Sequence, residues 1–192
     1  LDLIGRVPTR GEVEAFASDT APDKRARLVD ELLASEAFAE HWAQLWATRM
    51  LPGDKRARRQ ASDPLERYLA DALDQNLRWH QVVHELLTGT GELSEDPSLA
   101  FLGARVLRGQ NKQDTLAELS ATTSRVFLGA RIECAQCHDH PYASDFSRED
   151  FWAQTAFFGR TVVSLERMGK NKEAKIEVLE RGRGELRVAL GG

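Results

Sequence analysis

Sulfur is scarce in this sequence: two cysteines, two methionines, and also only two tyrosines among 192 residues. No apolar run approaches the ~20 residues that a membrane span requires, so no transmembrane segment is expected here. The chain opens on LDLIG, without the charged, apolar and small-residue stretches of a signal peptide. It reads as part of a larger polypeptide, whose export signal would stand upstream. Positive charge is not in excess either. With 26 Lys and Arg against 30 Asp and Glu the net charge is −4, which argues against a surface devoted to nucleic-acid phosphates. The one basic run, Lys55-Arg56-Ala57-Arg58-Arg59, follows Pro52-Gly53 and reads as a solvated loop. There is no internal repeat, no low-complexity tract, and no nucleophile–base pair that would make the fragment an enzyme by itself.

What remains is the composition of an ordinary globular domain, 42% hydrophobic and 29% charged. Helix signals fill the first 160 residues. Thr9 and Glu12 form a T-x-x-E capping box for a helix over 10–18, and Thr20 with Pro22 opens one over 22–34. Ser35 caps a third over 36–50, where Phe38, Trp42, Leu45, Trp46 and Met50 recur at helical spacing. Asp63-Pro64 opens a fourth over 64–75, and a fifth over 77–87 stops at Gly89. A long helix is expected over 112–132, with Leu116, Leu119, Thr123, Phe127 and Ala130 inward. Continued, that period carries Cys134, Cys137 and His138 onto the core side. Ser147 caps a last helix bearing Phe151, Trp152, Thr155 and Phe158. From Thr161 the pattern alternates, and KIEVLERGRGELRVAL reads as a hairpin about Arg181-Gly182-Arg183-Gly184. The fold class expected is mainly α, an orthogonal multi-helix domain over 1–160. A short β hairpin region over 161–192 reads as the start of a further β region, cut short.

Both cysteines lie in ECAQCHDHPY, residues 133–142. A C-x-x-C-H string suits covalent c-type haem: each thiol adds across a porphyrin vinyl group, and the following histidine comes under the iron. Cys134, Cys137 and His138 fit those roles, with Phe127 and Ala130 as an apolar wall for the macrocycle. For the opposite face of the iron, His140 is too near His138, which leaves Met50 or Met168 as thioether candidates. Zinc is the competing reading. It could use Cys134, Cys137, His138 and His140, or the two cysteines with His80 and His84, which stand one helical turn apart. A disulfide of thioredoxin type needs a βαβ context that the first 160 residues lack. His41, beside the tryptophans, reads as a boundary residue.

The stretches LDLIGRVPTRGEVEAF, LVDELLASEAFAEHWAQLW and ATTSRVFLGARIECAQCHDHPYASDFSREDFWAQTAFF together resemble the planctomycete-type cytochrome c domain family over nearly the whole chain. In that resemblance Cys134, Cys137, His138, Asp139 and His140 match the family motif, and Trp42 and Trp46 its tryptophan pair. His41, His80 and His84 depart from the pattern. So do Ala143-Ser144-Asp145 and Phe151-Trp152, where relatives carry an Asp-Pro and a tyrosine pair. The resemblance implies an exported domain, periplasmic or cell-surface, holding haem c within a larger protein. Electron transfer or redox sensing with an unidentified redox partner would follow. The alternative implied by the residues is a structural or interaction domain stabilised by zinc.

Overall fold

The computed structural model describes residues 1–106, 111–143, 145–168 and 173–182. Among them are eight α-helices and one three-stranded antiparallel sheet, so the fold is mainly α as the sequence leads one to expect. Helices α1 (Arg10–Ser18), α2 (Lys24–Leu33) and α3 (Glu36–Met50) follow their cap residues closely. Thr9 accepts from the Glu12 N–H while the Glu12 carboxylate accepts from the Thr9 N–H, closing the capping box. Ser35 accepts from the Phe38 N–H in the same way. At α2 the cap position belongs to Asp23 rather than Thr20.

Helix α4 (Lys55–Asp74) departs most from expectation, because it starts well before Asp63-Pro64 and carries Pro64 inside it. The basic run is therefore its first turn and not a loop. A proline there removes one ladder hydrogen bond and crowds the turn before it. The compensation is a stripe of Ala61, Leu65, Leu69 and Ala72, all buried, on the face toward α3. The buried stripe of α3 is Ala39, Ala43, Ala47 and Met50, whereas Phe38, Trp42, Leu45 and Trp46 are only half-buried. Helical spacing alone cannot distinguish these two stripes. Small side chains face the partner helix because they let the two backbones approach, and the bulky ones flank the contact.

Helix α5 (Trp79–Thr88) ends at Gly89, where an added Cβ would fall 2.7 Å from the Leu99 side chain. The two-residue strand β1 (Gly91–Glu92) and a 3-10 turn at Pro97–Leu99 lead into α6 (Ala100–Val106). None of these three was legible beforehand. Helix α6 is the centre of the main core: Phe101, Leu102 and Ala104 are buried among Met50, Leu65, Leu69, Leu86, Leu116 and Leu119. Arg105 is buried there too. It donates to the carbonyls of Phe101 and Met50, the latter at 2.8 Å, and stacks on the Phe101 ring at 4.3 Å. A cation at the carbonyl end of α3 is favoured by the helix dipole.

Strands β2 (Thr161–Met168) and β3 (Glu173–Glu180) pair in antiparallel register from Thr161 opposite Glu180 to Met168 opposite Glu173, and β1 pairs with the other edge of β3. This pairing precedes the hairpin expected about Arg181-Gly184. Residues 183–192 lie outside the described residues, so the strand expected after Gly184 does too. Ile176 and Val178 of β3 point into the protein, Ile176 so close to Gly103 that an added Cβ there would meet it at 2.9 Å. Met168 ends β2 rather than lying in a loop.

Candidate functional site

The helix expected over 112–132 is shorter. Helix α7 (Lys112–Thr123) passes into a π-helical turn at Ser124–Leu128 and stops at Gly129, whose φ of +70° a residue with a Cβ rarely adopts. The amide of Ala130 closes the stop on the Ser124 carbonyl at 3.2 Å. A separate 3-10 turn, Glu133–Gln136, then carries the first cysteine. The inward period is broken before it reaches the motif. Cys134, Cys137 and His138 are exposed, and Ala135 alone of residues 133–138 is fully buried. The expected core-facing motif is thus corrected to an outward-facing one.

Ala135 anchors the turn. It sits with Ile132, Ala117, Ala121, Phe151 and Trp152 in a small second core between α7 and α8 (Arg148–Ala156). Its amide donates to the Ile132 carbonyl at 2.9 Å, but further along the turn the amides of Cys137 and His138 reach the Cys134 carbonyl only at 3.4 and 3.5 Å. Shorter bonds than these reach the turn from α8. The Trp152 indole N–H donates to the Gln136 carbonyl at 3.1 Å, and Asp139 Oδ1 accepts from the Arg148 N–H at 2.9 Å. Ser147 and Asp150 close a capping box on that helix, and the hydroxyl and amide of Ser147 hold the Asp150 carboxyl below its ordinary range.

The two histidines of the motif are in different protonation geometries. His138 Nδ1 lies 2.7 Å from the Asp139 carbonyl oxygen. A carbonyl only accepts, so Nδ1 carries the proton and the lone pair of the neutral ring is on Nε2, the arrangement usual for a metal-bound imidazole. His140 is the reverse. Its Nδ1 accepts from the amides of Ala143 at 3.0 Å and Tyr142 at 3.3 Å, so the proton sits on Nε2 and the ring closes its own loop. In this geometry His140 offers no lone pair to a metal, contrary to its expected place in a zinc site.

Other expected participants stand elsewhere. Met50 is fully buried in the main core, not available above a cofactor. The Phe127 ring packs on Phe101 at 5.6 Å and Trp79 at 6.4 Å, so it faces the main core and forms no wall beside the cysteines. His80 and His84 are exposed on α5, and His41 is half-buried with its ring edge-on to Trp42 at 6.3 Å. Among the described residues no three His, Cys, Asp or Glu side chains gather as a metal site. No helix among the described residues is long and apolar enough to cross a membrane.

Beside the turn lies a cleft of about 480 Å³ with Glu133 and Gln136 on one wall and Arg49, Glu118, Thr122 and Arg125 on others. Its lining is charged. Apolar surface is instead left uncovered on the segments adjoining the motif, at Leu128, Tyr142 and Phe157, which are 69%, 94% and 86% exposed.

Over residues 1–162 the chain matches the family PSCyt2, protein of unknown function (DUF1549), and it belongs to that family. No curated protein and no solved structure matches it.

Proposed function

We propose that this member of the PSCyt2 family is a c-type haem attachment domain, with Cys134 and Cys137 as the thioether residues and His138 as the proximal ligand. The observation that carries the reading is the His138 ring. Its Nδ1–H is committed to the Asp139 carbonyl, which leaves an exposed Nε2 lone pair next to two exposed thiols. Backbone acceptors of this kind fix the tautomer of metal-bound histidines and raise their basicity. The donor set therefore fits haem c. In attachment each S–H adds across a vinyl C=C: sulfur bonds one carbon, hydrogen the other, and no electrons are exchanged with a third species. Bound in this way, the haem would supply one-electron iron chemistry, and the protein would supply the ligand and its hydrogen bond.

Zinc is supported less well, since His140 is turned away from ligation and no three His, Cys, Asp or Glu side chains gather among the described residues. Electron transfer or redox sensing within a larger exported protein is the role this reading favours. Haem c is attached outside the cytoplasm, so the test is production in a periplasm equipped with the attachment apparatus. The expected result is a mass increase of one haem, with colour that survives denaturation and disappears in Cys134→Ser/Cys137→Ser. Colourless protein of unmodified mass from that host overturns the reading.

A further inference from the structure

We infer that Trp152 and Asp139 are positioning residues, which hold the Cys134–His138 turn with its sulfurs and the His138 Nε2 facing outward before any group is attached. The purpose of this rests on the haem reading, but the tethers themselves do not. Ala135 is held to the Ile132 carbonyl at 2.9 Å, but beyond it the amides of Cys137 and His138 reach the Cys134 carbonyl only at 3.4 and 3.5 Å, longer than the usual N–H···O distance. What fixes it comes from α8, at two points that bracket Cys137 and His138: Gln136 on one side, through the Trp152 indole, and Asp139 on the other, through the Arg148 amide.

Each tether has a further effect. Trp152 is almost wholly buried and packs edge-on against Phe151 at 5.2 Å, so its N–H is fixed in direction and the Gln136 carbonyl must come to it. Asp139 works through both ends of one residue. Its carboxylate is pinned at the start of α8, and its carbonyl accepts from His138 Nδ1, so fixing the first fixes the atom that selects the His138 tautomer. Both residues act through the turn.

Four variants test this: Trp152→Phe, Asp139→Ala, Asp139→Asn and, as a control, Trp42→Phe, whose indole N–H has no hydrogen-bond partner among the described residues. In the apo chain the readout is the alkylation rate of each thiol, followed by mass. In protein from an attachment-competent periplasm it is the fraction carrying haem and the reduction potential. Trp152→Phe and Asp139→Ala are expected to lower attachment about tenfold, as loss of a supporting partner typically does, and to shift the potential. Asp139→Asn keeps an acceptor for the Arg148 amide and should restore both, and Trp42→Phe should match wild type. Unchanged attachment, potential and alkylation rates in Trp152→Phe and Asp139→Ala would sink the inference. If wild type takes no haem, the attachment reading fails, and the alkylation rates alone decide whether the tethers exist. Should Trp152→Phe not fold, the exposed Asp139 pair still decides it.

Discussion

The main core around α6 and the small core under the cysteine turn are made of different material. Around α6, Phe101, Leu65, Leu69, Leu86, Leu99 and Met50 are buried together, and Arg105, the one buried cation among the described residues, has carbonyls and an aromatic face to answer it. Beneath the turn the buried set is Ala117, Ala121, Ile132, Ala135, Phe151 and Trp152, half of it alanine. The adjoining end of α7 buries the hydroxyls of Ser120, Thr123 and Ser124 without a hydrogen-bond partner among the described residues. Such an orphaned group costs about 1–3 kcal/mol. The first region holds the chain folded; the second spends contact area on shaping an exposed turn. A turn that leaves sulfur and imidazole uncovered buries little around them.

The largest test of this contrast is Phe101→Ala. Removing a fully buried ring that also supports Arg105 should cost about 3–5 kcal/mol in urea unfolding, with the whole fold destabilised together. A loss confined to one segment would mean that the two cores are not one cooperative unit. Ala135→Leu is the counterpart in the small core. Overpacking this fully buried position should cost about 1–3 kcal/mol and, unlike the Phe101 variant, should change thiol alkylation in the protein that remains folded. Equal thiol rates in the two variants would erase the distinction drawn here.

The smallest effect concerns pH at two helix starts. A hydrogen bond from Arg6, with the backbone and hydroxyl of Thr9 adding to it, lowers the Glu12 carboxyl to about 2, and Ser147 lowers Asp150. Folded values below the ordinary carboxyl range mean that both contributions are complete only above the unfolded values, at about pH 5 and higher, and are lost as pH falls toward the folded values. Helix α1 has no buried residue, whereas α8 buries Phe151, Trp152 and Thr155. Hydrogen-exchange protection should therefore fade in α1 on acidification while α8 keeps most of its own. Equal fading would show that the caps, and not the packing, hold α8.

Local chemistry was legible in the sequence and long-range contact was not. Thr9, Ser35 and Ser147 announced helix starts because their capping partners are three residues away. Pro64 misled, because packing of Leu65 and Leu69 outweighs a local penalty. The pairing of β3 with β1 was not legible, because the two strands lie far apart in sequence.

At the site the division is sharper. The identity and spacing of Cys134, Cys137 and His138 put two thiols and an imidazole within five residues, and these are properties of the residues themselves. Which way those atoms face, and which histidine keeps a free nitrogen, was decided only when Gly129 ended the helix and α8 came alongside. The reason is physical: periodicity describes a face only while one helix lasts, and a tautomer depends on whichever carbonyl or amide the tertiary fold brings to the ring.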